Sequence, residues 1–215
     1  MNETNYKPSY VLPLSIVMAG IIIAGGIYID GDGKIISSKV KMASATIIDG
    51  GFLLPLEYEE KILEKMVSLG VIDPAKMSRV TELNLLWAFG LANKNRVLEE
   101  GPMMDQRYGG PHRMASVGGW SVARGNAMDH YSMHSLLPLS TDEQELVERV
   151  SKSVFRPCCK NSAYFPDCNH GMAMLAFLEI LATQGAEEET LKTAADNANS
   201  DWFEPREREK GNCST

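Results

Sequence analysis

The stretch "CNHGMAMLAFLEILATQG", residues 168–185, decides the reading of this chain. Between Gly171 and Ala182 its only charge is Glu179. A helix apolar almost all round is buried on most sides, so residues 169–183 are expected to form the central helix of a mainly α domain. The apolar run is short for a membrane span, which needs about 20 residues.

Working outward, helical patterns surround this centre. Ser140, Thr141, Asp142 and Glu143 form a capping-box sequence. Behind it, Leu146, Val147, Val150 and Val154 share one face. That helix is expected to stop near Phe155, because Pro157 disfavours the helical region for Arg156. Tyr58, Ile62, Met66 and Leu69 outline an earlier amphipathic helix that Gly70 ends, and residues 80–92 outline a second, nearly apolar one. A last helix is expected over 186–199, followed by Trp202, Phe203 and a charged tail at 204–215. Residues 93–139 show no sustained period, which is unusual inside a compact domain.

The N-terminal part differs in kind. Residues 11–29, "VLPLSIVMAGIIIAGGIYI", carry no charge over 19 positions. At 1.5 Å per residue that is about the thickness of a hydrocarbon core. Gly20, Gly25 and Gly26 would weaken a helix in water but are tolerated in membrane spans. The segment is therefore expected to be a single transmembrane anchor, uncleaved, behind a short tail at 1–10. The lipid bilayer is its expected partner, and the domain is placed on the extracytoplasmic side. Residues 30–55 read as a linker with at most minor β, from "KIISSKVKM" and "SATIID". Asp30 to Lys34 resembles a calcium loop only at its start, since Lys34 replaces an oxygen ligand. The helical domain is expected over 56–203.

Composition excludes some functions. The 215 residues are 44% hydrophobic and 23% charged, with a formal net charge of -7. Nucleic-acid binding needs a basic footprint that is missing here. No Walker loop is present, and Gly119-Trp120-Ser121-Val122-Ala123 falls short of a nucleophile elbow.

Chemistry is expected at two clusters. Cys158, Cys159, Cys168 and His170 lie within thirteen residues at the entrance of the central helix. Their spacing is not that of a zinc finger. A helix N-terminus favours thiolate, which makes Cys168 the best ligand or attacking sulfur. A disulfide from Cys158 or Cys159 to Cys168 would pin the helix entrance instead. His130 and His134 stand at i and i+4, able to share a metal on a helix, but Tyr131 replaces the glutamate of a metalloprotease. Together the thiols and imidazoles suit a soft or borderline metal, copper or zinc. Three readings stay open: metal binding through a joint Cys/His site, thiol–disulfide chemistry, and a disulfide-stapled scaffold with a protein partner.

Overall fold

The structure is a computed structural model. It describes residues 56–203 except 158 and 159, together with strand residues 28–29 and 35–36. The bulk of the expected anchor, most of the linker, Cys158, Cys159 and the tail lie outside the described residues.

Seven α-helices are described: α1 (Leu56–Leu69), α2 (Glu82–Ala92), α3 (Arg96–Glu100), α4 (Ala115–Gly118), α5 (Thr141–Ser153), α6 (Asn169–Thr183) and α7 (Glu188–Trp202). The β content is one antiparallel pair, β1 (Tyr28–Ile29) with β2 (Ile35–Ile36), in register Tyr28↔Ile36 and Ile29↔Ile35. The mainly α expectation therefore holds for the described residues. One boundary differs: Tyr28 and Ile29, the last two residues of the apolar segment, are extended. Aromatic and β-branched side chains suit that conformation. No helix among the described residues is long and apolar enough to cross a membrane.

α6 is the centre of the domain. Met172, Met174, Leu175 and Leu178 are fully buried on it. α2 lies against it with matching direction: Gly90 faces Met172 and Ala176, while Asn93, just past α2, reaches Glu179. Gly90 is required by this approach, because a Cβ there would stand 2.4 Å from the Met172 carbonyl oxygen. α5 and α7 cover other faces of α6.

Local signals place the helix ends. The Ser140 hydroxyl accepts from the Glu143 N–H, and the Glu143 carboxylate accepts from the Ser140 N–H. α2 starts on a similar reciprocal cap between Thr81 and Asn84. α1 ends at Gly70, whose φ of 82° needs a residue without a Cβ. Its buried face differs from the expected one: Met66 is inside, flanked by Ile62, Leu63 and Val67, while Leu69 is exposed. The chain turns inward only at Val71 and Ile72, which are fully buried.

The aperiodic region 93–139 consists of single turns, none longer than five residues. Such short turns leave no 3.6-residue pattern to read. They are held by buried anchors. Trp120 donates to the Val71 carbonyl at 3.0 Å and packs edge-on against Trp87, with ring centroids 4.9 Å apart. The Tyr131 hydroxyl donates to the Leu98 carbonyl at 2.8 Å. Burial and the charge of Glu99 raise the Tyr131 hydroxyl's pKa far above its ordinary value.

Candidate functional site at the entrance of the central helix

The connection from α5 to α6 carries a polar cluster centred on Arg156. α5 ends at Ser153, and Phe155 pairs back with Ser162 in an isolated antiparallel bridge. The intervening turn is closed by the Lys160 N–H donating to the Arg156 carbonyl at 3.0 Å, with Lys160 in the left-handed region at φ 58°. Cys158 and Cys159 fall between these two positions in sequence and are not described.

Arg156 points inward, its side chain 0% exposed. The guanidinium meets five acceptors. Nη2 donates to Asp167 Oδ1 at 2.8 Å and to the Phe165 carbonyl at 2.9 Å, with a longer contact of 3.4 Å to the Ser162 carbonyl. Nε donates to the Asn161 carbonyl at 3.2 Å. Nη1 donates to the Cys168 sulfur at 3.0 Å. Asn161 Nδ2 holds the other Asp167 oxygen at 2.9 Å, which fixes the carboxylate's orientation. Asp167 also accepts the Ser116 N–H through its main-chain carbonyl, tying α4 to the site.

A buried cation persists only where it is paired and hydrogen-bonded, and the fold supplies both. It also supplies space. A Cβ on Gly171 would lie 1.9 Å from Arg156 Nη1, so the guanidinium occupies the volume a larger side chain would need. Cys168 is the N-cap residue of α6, partly exposed, and its carbonyl accepts the Met172 N–H. The positive end of the helix and the guanidinium therefore converge on one sulfur. His170, the second residue of α6, packs its ring on Phe203 with centroids 4.4 Å apart, which joins the end of α7 to the same entrance.

Among the described residues, the histidine pair is not gathered with Cys168 and His170 into one group. His130 and His134 are not on one helix: His130 follows a 3-10 turn, and His134 forms an isolated parallel bridge with Asn93. Their rings still approach, with His130 Nδ1 and His134 Nε2 3.0 Å apart. His130 Nε2 faces the Arg124 carbonyl at 3.3 Å. Burial, then the neighbouring His130, then Lys65 push the His134 pKa below the ordinary histidine value. This pair sits beside Asn93, whose amide donates to Glu179 at 2.7 Å. Glu179 lies eleven residues along from Cys168, roughly 16 Å at 1.5 Å per residue. The histidine pair and the Cys168–His170 pair are thus at different ends of α6. Among the described residues no group of three or more His, Cys, Asp or Glu side chains is gathered as a metal site.

Glu179 is a further buried ionisable group. Its two oxygens accept from the Asn93 and Asn95 side-chain amides. Asn93 in turn accepts the Leu136 and Leu137 N–H groups, and Asn95 accepts from Val97 and Gln144. Complete burial raises the Glu179 pKa to about 8, against the pull of the two amides toward the ionised form. The network ties α6 to the turns after α2 and to α5.

Sequence reasoning passed over Arg156, Asp167, Asn93 and Asn95. The signals were slight: an arginine before a proline, an aspartate before the cap cysteine, and one carboxylate in an apolar helix. No family model, curated relative or solved structure matches the chain.

Proposed function

We propose that the protein is a membrane-anchored thiol–disulfide exchange protein, with Cys168 as the attacking sulfur and Cys158 or Cys159 as its resolving partner. The observation that carries this reading is the buried Arg156 guanidinium donating to the Cys168 sulfur at 3.0 Å. A hydrogen bond from a cation to an ionised acceptor is roughly twice as strong as a neutral one. The arrangement therefore favours thiolate, the form that attacks disulfides. Cys168 itself is partly exposed.

The exchange conserves atoms and electrons. The Cys168 thiolate attacks one sulfur of a substrate disulfide and forms a mixed disulfide. The departing substrate sulfur leaves as thiolate and takes up a proton. The second cysteine, as thiolate, then attacks the Cys168 sulfur and releases the other substrate thiol. The substrate gains two electrons, and the protein is left with an internal disulfide. The reverse sequence oxidises a substrate dithiol.

A copper or zinc ion on the same cysteines with His170 is the competing reading. It would set a cation beside a fixed guanidinium, which electrostatics disfavours. Residues 11–29 serve in this proposal as the anchor, with the domain on the oxidising, extracytoplasmic side.

The test uses the full-length chain. It is equilibrated in defined thiol–disulfide buffers, alkylated and mapped by mass spectrometry, with metal content measured on the same sample. A disulfide from Cys168 to Cys158 or Cys159 that forms and breaks with the buffer supports exchange. One that resists mild thiol points to a staple. Stoichiometric copper or zinc that Cys168→Ser or His170→Ala removes would replace the proposal with metal binding.

A further inference from the structure

We infer that His130 and His134 form a binding site for a zinc ion, separate from the thiols and using none of the residues of the exchange reading. The basis is two imidazole nitrogens turned toward each other. His130 Nδ1 and His134 Nε2 are 3.0 Å apart. The Arg124 carbonyl, 3.3 Å from His130 Nε2, can only accept, so Nε2 carries the proton of that ring. In the neutral ring Nδ1 is then a lone pair, and it faces His134. A carbonyl on the outer nitrogen is the usual support of a metal-binding imidazole. Here the carbonyl is itself held in place, since the Arg124 N–H donates to the Gly70 carbonyl at 2.8 Å.

The chain between the rings is bent to bring them together. Ser132 lies in the left-handed region at φ 53°. A residue with a Cβ stays there only where its surroundings hold it, and such positions gather at functional sites. The Ser132 N–H donates to the Leu91 carbonyl at 2.8 Å, and its hydroxyl accepts the Asn95 N–H at 3.0 Å. The His134 N–H donates to the Ala92 carbonyl at 2.9 Å. Both imidazoles therefore stand on backbone pinned to the end of α2. His130 is buried and His134 half-buried, which leaves the His134 side as the approach.

The separation suits zinc. Two Zn–N bonds of about 2.0–2.1 Å at the tetrahedral angle place the nitrogens roughly 3.3–3.4 Å apart and the ring centroids roughly 5.2 Å apart. The centroids stand 5.3 Å apart. Small tilts of the rings about their centres turn both lone pairs onto one ion. The proton shared between the two nitrogens leaves to solvent as the ion enters. No third His, Cys, Asp or Glu among the described residues joins the pair, so the other positions fall to water or a donor from solution. Lys65 is the charge that opposes the ion, as it opposes a proton on His134. It is exposed and donates to the Ser135 carbonyl, so water screens it. Arg156, by contrast, donates straight to the Cys168 sulfur.

The experiment takes the full-length chain with its thiols alkylated by iodoacetamide, so that sulfur takes no part. Equilibrium dialysis at neutral pH measures zinc uptake, and X-ray absorption at the zinc edge counts the imidazoles around the ion. The expected result is stoichiometric zinc carrying both imidazoles. Loss of an outer-shell partner alone costs about 10–100-fold in metal affinity, so His130→Gln and His134→Gln should each weaken binding about tenfold or more. Lys65→Gln should tighten it. No uptake, or a zinc shell without imidazole, would overturn the inference in the wild-type chain alone, whether or not a variant folds. So would binding that both folded histidine variants retain. None of these results touches the exchange reading, whose cysteines are blocked throughout.

Discussion

At the scale of single residues, two buried ionisable groups have opposite circumstances. Arg156 is paired with a carboxylate, whereas Glu179 meets only neutral amides. Removing the partner of a buried charge costs about 3–5 kcal/mol. Asp167→Ala is therefore expected to lower stability by that order, read as a shift in the denaturant midpoint. For Glu179, burial raises the folded-state pKa from the ordinary 4.5 to about 8. The folded protein then binds more protons than the unfolded chain between those values. Its stability falls as pH rises through that window, by a few kcal/mol in all. Glu179→Gln keeps the shape and cannot ionise. Chemical denaturation at pH 5 and pH 8 should show the wild type losing stability relative to the variant as pH rises.

His134 has the opposite sign. The His134 pKa is lowered in the fold, so the folded state binds fewer protons than the unfolded chain. Its contribution is complete above about pH 6.5 and is lost as pH falls below that value. Between His130 Nδ1 and His134 Nε2 there is room for one proton, and the adjacent Lys65 and the neighbouring ring both oppose a further charge. Replacing His134 with Gln should flatten the acid limb of the stability curve, measured between pH 7 and pH 5.

At the scale of elements, the contact of α2 with α6 is set by small residues on α2 and the main chain of α6. Gly90→Ala would bring a Cβ to 2.4 Å from the Met172 carbonyl, so the helices must separate. Overpacking of this kind costs about 1–3 kcal/mol, and thermal unfolding would measure it. A midpoint equal to the wild type would mean the helices are not held as closely as the contact implies. The elements themselves were partly legible. Helices α2, α5 and α6 were readable from the nearly apolar run 80–92, the capping box at Ser140 and the apolar run after Gly171, because caps and composition act within one turn. The face of α1 was misjudged at Leu69. A period of 3.6 admits either flank, and only the inward turn at Val71 and Ile72 selects between them. The single turns of 93–139 were invisible, since each is shorter than the period that would reveal it.

At the scale of the whole molecule, the charge-free segment 11–29 makes its own prediction. The full-length chain should sediment with membranes and resist alkaline carbonate, and a chain lacking residues 11–29 should not. Recovery of the intact chain in the aqueous fraction would remove the anchor from the proposal. What the sequence by itself determined is the mainly α class, the central helix and the presence of thiols at its entrance. Those follow from local spacing, capping and apolar content, which are properties of neighbouring residues. Tertiary structure decided which groups meet at that entrance. Arg156 and Cys168 are twelve residues apart, and only the turn through Asn161 and Asp167 brings guanidinium to sulfur. His130 and His134 lie toward the Glu179 end of the same helix. Backbone pairing of His134 with Asn93 and the anchoring of Asn93 on a buried carboxylate hold them there. Long-range hydrogen bonds of this kind lower the free energy only once both partners are buried, and no spacing along the chain records them.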